Sequence, residues 1–347
     1  MSVVRRATLG AICLVLLVGC TNKRDVDPDG AVKTPRPTPP ASTSLPPVAS
    51  PTRPLVPTTA ASPSAGPATC ATARPAPTGR SESTIKVAGG PARRYILFLP
   101  EEYDGRRRLP LVFSFHGYGA GSDQQLLYSG LTSVAERNGF VLVALDGQGD
   151  PRHYNQRSVA RGGEVSDITV VNTVLDALSD SLCLDSKRVY ATGMSDGGAL
   201  AAALGCFASK RFAAVAPVAA LVYDPACAEA TPVALMAFRG TADKIVPYAG
   251  GRVACCGNPV VEATETDIAS WADHNGCDPK PTVTQHGAVK TSAYTGCDGP
   301  GDVVLHSVIG GGHTWPGAFG LPGLGVTTRD IVASEAIWEF FAAHPKP

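Results

Sequence analysis

The pentapeptide Gly193-Met194-Ser195-Asp196-Gly197 sets one serine hydroxyl between glycines, where a strand-like run (189–193) meets a small-residue helical stretch (197–208). A serine at such a strand–turn–helix junction is lifted clear of its neighbours, and the helix N-terminus behind it favours developing negative charge. The glycines are required because helix and strand backbones approach closely there. A hydroxyl is a poor nucleophile until a base takes its proton. Among seven histidines, His313 is the candidate base: it lies in Gly310-Gly311-Gly312-His313-Thr314-Trp315-Pro316-Gly317, directly after a predicted strand at 303–309. His274 and His286 lie in polar, turn-like contexts, and His344 near the C-terminus is expected to be solvated. An imidazole in this role needs a carboxylate to hold its tautomer. Asp243, in Gly240-Thr241-Ala242-Asp243 after a predicted strand at 233–238, meets that need. The competing Asp302 precedes its strand and falls at the wrong end of a parallel sheet.

The chemistry these three residues could do is acyl transfer. Its tetrahedral oxyanion needs two backbone donors. One is expected from the N–H of Asp196, the residue after the serine. The other is expected from the N–H of Tyr118, in His116-Gly117-Tyr118-Gly119 after a predicted strand at 111–115. His116 is read as shaping that loop rather than as a base. Trp315, Tyr118 and Tyr154 are candidates to line an acyl-binding pocket, with plain packing the alternative for each.

The elements that must position these groups alternate. Strands are predicted at 94–99, 111–115, 140–145, 189–193, 213–217, 233–238 and 303–309, from branched and aromatic runs. Helices are predicted at 123–138, with Ser122 as N-cap, then across Ile168, Val171, Leu175, Leu178 and Leu182, and at 197–208, 262–275 and 330–344. Alternation of this kind means βαβ units and a mostly parallel central sheet flanked by helices, an α/β class fold. Serine, aspartate and histidine occur in the chain order of α/β-hydrolases, with the aspartate 48 residues after the serine and the histidine 70 further on.

Taken together, His116-Gly117-Tyr118-Gly119, Gly193-Met194-Ser195-Asp196-Gly197-Gly198, Gly240-Thr241-Ala242-Asp243 with Val246-Pro247-Tyr248, and Gly312-His313-Thr314-Trp315-Pro316-Gly317 resemble the polyhydroxybutyrate depolymerase / feruloyl esterase family. The resemblance covers about residues 85–347 and is greatest to its exported, LpqC-like lipoprotein branch. It implies an α/β-hydrolase fold, a Ser195–Asp243–His313 triad, an ester substrate and no cofactor or metal. Feruloyl or acetyl-xylan esters, or acyl transfer or peptide cleavage on the same fold, are the alternative readings. Polymer-degrading members often carry an added substrate-binding domain, and this chain offers a tether instead.

Composition sets the outer limits. Thirty Lys+Arg balance thirty Asp+Glu over 347 residues, which argues against a nucleic-acid partner, since phosphate neutralisation needs a basic surplus. A monomer is expected. Arg5 and Arg6 precede an apolar run from Ala7 to Val18, too short to span a bilayer but suited to a signal peptide. It ends in Leu17-Val18-Gly19-Cys20, which resembles a lipobox and implies cleavage after residue 19 and membrane anchoring through lipidated Cys20. Residues 21–80 hold 14 of 30 prolines and 15 Ser/Thr, whereas every aromatic lies at or after Tyr95. Residues 20–80 therefore read as an extended tether, and 81–347 as the single catalytic domain.

Eight cysteines remain beyond Cys13 and Cys20, and an even number in an exported chain points to disulfides. A strand running up and a helix running back down place Cys183 and Cys206 at the same end of the sheet, so they are an expected pair. Cys277 and Cys297 close a 20-residue loop, worth roughly 3 kcal/mol if unstrained, in a segment that also looks like the family's disulfide-bearing region. Cys70, Cys227, Cys255 and Cys256 stay unassigned, with buried thiols an open alternative.

Overall fold

The computed structural model describes residues 69–157 and 164–347. Expectations for the signal peptide, for Cys20 and for the tether up to residue 68 lie outside the described residues. The chain is already fastened at Thr69, which bridges to Arg107, and at Cys70, whose N–H donates to Arg106 O. The domain therefore extends N-terminal to the expected border at 81.

In chain order the elements are β1 (Gly79–Lys86), β2 (Ala92–Leu99), β3 (Leu109–Phe115), α1 (Ser122–Ser129), α2 (Leu131–Asn138), β4 (Val141–Leu145), α3 (Asp167–Ser181), β5 (Leu184–Met194) and α4 (Asp196–Phe207). There follow β6 (Ala214–Val218), β7 (Ala234–Gly240), the short β8 (Gly251–Arg252) and β9 (Val260–Val261), α5 (Thr264–His274), β10 (Thr282–His286), β11 (Val289–Tyr294), β12 (Val303–Val308) and α6 (Ala333–Ala343). Ten strands form one sheet in the order β1-β2-β4-β3-β5-β6-β7-β12-β11-β10. Its six central strands, β4 to β12 in that order, are parallel, and antiparallel pairs extend both edges.

The central strands β3, β4, β6 and β7 are buried at every position, as expected where helices cover both faces. Alternation along each strand divides the core in two. Leu111, Phe113 and Phe115 pack with Val171 and Leu175 of α3, Leu200 and Leu204 of α4, and Ile268 and Trp271 of α5. Val112 and Tyr190 point the other way, toward Leu126 of α1, Val134 of α2, and Ile337 and Phe341 of α6. Burying one such side chain is worth about 1.5–3 kcal/mol, so each face is anchored by several independent contacts.

Two local expectations are corrected. The helix predicted over 123–138 is two helices, because Gly130 turns left-handed at φ 68° and its N–H caps Leu126 O. Ser122 is the first helical residue, not the N-cap; its hydroxyl donates to the Asp146 carboxylate while Gly121 takes the cap position. The edge strands β1 and β10, and β11 beside β10, are not predicted from the sequence. β10 is exposed at every residue and β1 at most of its residues, so neither displays the apolar run by which a strand is recognised.

The disulfides are Cys70–Cys183, Cys206–Cys227, Cys255–Cys256 and Cys277–Cys297. The Cys277–Cys297 pair matches expectation. The expected Cys183–Cys206 pair does not form. Cys183 lies just before β5, beside the N-terminal segment that reaches it through Cys70, while Cys206 closes onto the short helical turn Pro225–Glu229. Strand-up, helix-down reasoning places a cysteine at an end of the sheet but does not show which other segments reach it, and here Cys70 and Cys227, both unassigned from the sequence, supply the partners.

Candidate active site

Parallel strands deliver their carboxyl ends to one rim. Register places Phe115 beside Gly193, Met194 beside Val218, and Val308 beside Gly240. The loops that leave β3, β5, β7 and β12 are thereby neighbours.

Ser195 occupies the sharp turn between β5 and α4 with φ 56° and ψ −117°. A non-glycine residue pays on the order of 1–3 kcal/mol for such a backbone. The turn is held by its own N–H, which donates to Val218 O at 2.8 Å. At Gly197 a methyl group would collide with the Phe115 carbonyl, so helix α4 can start directly against β3 only with glycine there. Asp196 opens α4, and its amide points from the first turn with no helical acceptor behind it.

His313 is buried, with Nδ1 2.8 Å from Asp243 Oδ2. The other carboxylate oxygen of Asp243 accepts the N–H groups of Ile245 (2.8 Å) and Val246 (2.9 Å). Because the carboxylate can only accept, Nδ1 carries the proton and Nε2 is left as the basic nitrogen. The His313 loop is set by His313 N–H on Leu324 O (2.7 Å) and by Ala242 N–H on Gly311 O (2.9 Å). Gly240 makes that approach possible, since a side chain there would meet the Gly311 and Gly312 carbonyls, and Gly312 lets Leu324 and Gly325 pack against the His313 loop. Beneath them, the buried Arg239 guanidinium donates to Thr264 Oγ1 and Val246 O and lies 3.9 Å from Asp243 Oδ2.

The loop after β3 crosses in front of Ser195. A side chain built on Gly117 would lie 3.5 Å from Ser195 Cβ. Tyr118 follows, part-exposed, and no backbone acceptor takes its N–H among the described residues. His116 is fully buried, with Nε2 accepting Gly147 N–H at 2.8 Å and Nδ1 donating to Gly117 O at 2.7 Å. Burial holds its pKa below the usual histidine range. It is a neutral strut for the loop, as its sequence context indicated.

A cleft of about 540 Å³ joins these parts, lined by Ser195 and His313 together with Tyr118, Tyr128, Phe319 and Leu324. Sequence reasoning had named only Tyr118 of this apolar lining. Phe319, Leu321 and Leu324 come from the stretch after His313, where repeated apolar residues among glycines were the available signal. Tyr128, edge-on to Phe319 at 5.2 Å, comes from α1 and carried no such signal.

Two expected pocket residues lie elsewhere. Trp315 is 1% exposed, and its indole N–H donates to Ser334 Oγ at 2.9 Å; it fixes the His313 loop to α6. Tyr154 is 5% exposed. Its hydroxyl donates to Leu145 O (2.7 Å) and accepts His116 N–H (3.2 Å), while its own N–H donates to the Asp196 carboxylate (2.8 Å). An aromatic ring beside a site is as useful for bracing its loops as for touching ligand, and here both are braces. Burial pushes the Asp196 carboxyl up to about 6.

The remaining sequence candidates separate cleanly. Asp302 sits before β12, at the opposite rim from Asp243, and binds His344 Nε2 at 3.2 Å. His344 is thus held rather than freely solvated, with Nδ1 also 2.7 Å from Phe340 O. Among the described residues, no cluster of histidine, cysteine or carboxylate side chains could hold a metal ion.

Residues 93–263 match the family model described as esterase PHB depolymerase. A probable feruloyl esterase C of Aspergillus niger is 28% identical over 261 residues, covering 72% of this chain and 84% of that protein. Feruloyl esterase D of Neurospora crassa is 29% identical over 281 residues, covering 77% of this chain and 87% of its own length. Feruloyl esterase B of Piromyces equi is 28% identical over 228 residues, and the match spans 42% of that longer protein. In fold, the chain is similar to an acetyl xylan esterase from Aspergillus awamori, with TM-score 0.52, 14% identity and coverage of 76% of this chain and 99% of that one. With the rim geometry these likenesses agree: residues 93–263 carry an esterase PHB depolymerase domain, the fold is that of α/β-hydrolases, and the chain is a carboxylic ester hydrolase.

Proposed function

We propose that Ser195, His313 and Asp243 are the catalytic triad of this esterase, with the Asp196 and Tyr118 amides as its oxyanion hole. The observation that carries the reading is the buried His313–Asp243 pair, 2.8 Å apart, facing the same cleft as the strained Ser195. His313 Nε2 takes the proton of Ser195 Oγ as the oxygen attacks the ester carbonyl. Asp243 stabilises the imidazolium that results, and the two amides hold the oxyanion. Collapse expels the alcohol, which leaves with the proton from His313. Water, activated by the same nitrogen, then releases the acid and restores the serine.

The cleft wall is mainly apolar, with Gln124 and Gln125 as its side-chain amides, and its volume exceeds what an acetyl group fills. Esters of larger, carbon-rich acids fit it: hydroxycinnamate esters, on the likeness to proteins named feruloyl esterases, or short hydroxyalkanoate esters, on the matched family. Hydrolysis rates on feruloyl, acetyl-xylan and hydroxybutyrate esters, wild type against Ser195→Ala, test both parts. Activity retained by Ser195→Ala would place the nucleophile elsewhere; rates highest on acetyl esters would overturn the large-acyl reading.

Four disulfides support an oxidising, exported setting. The signal run and Cys20 support an enzyme anchored to the membrane by a lipid on that cysteine and standing off on the Pro-rich segment. No helix among the described residues is long and apolar enough to cross a membrane. Acyl-chain labelling of wild-type protein and of Cys20→Ala tests the anchor; labelling that persists in the variant would remove it.

A further inference from the structure

The wall of the cleft nearest the acid contains Cys255, which is bonded to its immediate neighbour Cys256. This disulfide does no long-range fastening, because its partners are adjacent in sequence. The other three each join segments at least 20 residues apart. Loop-closure stabilisation grows with the length of chain enclosed, so a bridge enclosing none is explained by what it does locally.

Locally it sets the tip of the β8–β9 hairpin. Cys256 and Asn258 hold φ values of 58° and 51°, left-handed backbone that costs a non-glycine residue on the order of 1 kcal/mol or more. Asn258 N–H closes back on Cys255 O (2.8 Å), and Val253 N–H on Pro259 O (2.8 Å). The tip is also wired to the site: Ala254 N–H donates to Ile245 O (2.8 Å), and Ile245 N–H donates to Asp243 Oδ1 (2.8 Å). Ile245 and Cys255 thus form one continuous wall, and its foundation is the carboxylate that orients His313.

Resting on the triad proposed above, the position of that wall has a chemical meaning. The imidazole delivers its proton to the departing alkoxide, so the alcohol leaves on the side of His313 and its acid. The acyl half is flanked by the Tyr118 loop and by Gln124 to Tyr128 of α1. We propose that the Cys255–Cys256 disulfide, with Ile245, is a specificity-determining wall for the leaving alcohol, favouring one larger than methanol with a carbon-rich face. An aliphatic side chain and a disulfide offer no strong hydrogen-bond donor, which suits such a face and does nothing for a small, hydrated alcohol.

The test is two substrate series on the full-length enzyme and on the double variant Cys255→Ala/Cys256→Ala. In one series a single acid is joined to methyl, butyl and benzyl alcohol; in the other a single alcohol carries acetyl, butanoyl and cinnamoyl groups. In the variant, the benzyl-over-methyl ratio of kcat/KM is expected to fall about tenfold, the scale of a few lost apolar contacts, while acyl ratios move less than about twofold. Equal losses across both series, or a shift confined to the acyl series, would overturn the proposal. In case the variant does not fold, brief phosphine treatment of wild-type enzyme supplies the same measurement. Cys256 is exposed, whereas Cys183, Cys206 and Cys227 are buried. Alkylated-peptide mass spectrometry then reports whether 255 and 256 alone were opened. Alkylation of both without reductant would remove the bridge and the proposal with it. Fluorophosphonate labelling separates the two layers. If wild-type Ser195 resists it, the triad reading falls and takes the wall along; if labelling is normal and the alcohol ratio does not move, only the wall falls.

Discussion

Strand β12 has a histidine–aspartate pair at each end. At its carboxyl end His313 meets Asp243, and at its amino end His344 meets Asp302. By residue type the two are identical, and their distances, 2.8 and 3.2 Å, are not far apart. They differ in everything around them. The Asp243 side chain is fully buried and spends its second oxygen on two backbone amides, whereas that of Asp302 is 46% exposed. Ser195, the proposed nucleophile, lines the same cleft as His313 because parallel β5 ends at the same rim; the amino ends of parallel strands supply no such turn. A hydrogen-bonded imidazole is therefore not a site until the sheet brings it a reacting partner and removes water from its carboxylate.

The largest effect that would break this contrast is at Asp243. Asp243→Asn exchanges an acceptor for a group that can donate to Nδ1, so His313 adopts the tautomer that cannot take the serine proton. Esterase kcat is expected to fall by about 10³–10⁴ with little change in KM. A loss below tenfold would mean that the buried pair at this rim matters no more than the exposed one at the other.

The next effect is on the oxyanion loop. Tyr154→Phe removes one hydroxyl that bridges Leu145 O and His116 N–H, leaving two buried backbone groups without it. A stability loss of about 1–3 kcal/mol follows, with a fall in kcat of about tenfold as the loop bearing Tyr118 loosens. Denaturant melts and kinetics on the same preparation check both; lost stability with kcat intact would separate the brace from the chemistry.

Much of the proposed catalytic rim was legible because its tight turns and close backbone approaches require glycines. Gly197, Gly240 and Gly312 mark close approaches, and Ser195, Asp243 and His313 each stand beside one. What the sequence withheld was which distant segments meet. It places Cys183 and Cys206 toward one end of the sheet, but the segments that reach them, at Cys70 and Cys227, are set by the whole fold. Trp315 and Tyr154 show a second limit. Proximity to a proposed catalytic motif is visible in one dimension, and whether a ring faces the cleft or the core depends on partners such as Tyr128 for Trp315 and His116 for Tyr154, which lie 187 and 38 residues away. Exposed β10 had no pattern to read at all, since an edge strand is kept polar to avoid pairing with other chains.

A smaller effect sharpens the account of the catalytic rim. Asp196 ionises near 3.8 when unfolded and is pushed up to about 6 in the fold, chiefly by burial. The unfolded chain therefore releases this proton first, and Asp196 costs the fold stability as pH rises from 3.8 through 6, with no further change above. Asp196→Asn keeps the shape without the charge. Its Tm relative to wild type should rise between about pH 4 and pH 7, by the equivalent of on the order of 1 kcal/mol because the residue is only half-buried. A constant difference across that range would show that Asp196 carries no such burden.

The smallest effect is the control on which the comparison depends. Asp302→Asn weakens a hydrogen bond whose carboxylate is nearly half in water, and such exposed contacts contribute about 0–1 kcal/mol. His344 keeps its contact with Phe340 O, so the end of α6 stays in place, and esterase kcat/KM should remain within about twofold of wild type. A tenfold loss of activity from Asp302→Asn, at a rim with no nucleophile, would mean that the two ends of β12 are coupled through the strand. The catalytic geometry would then depend on both pairs rather than on the one that faces the cleft.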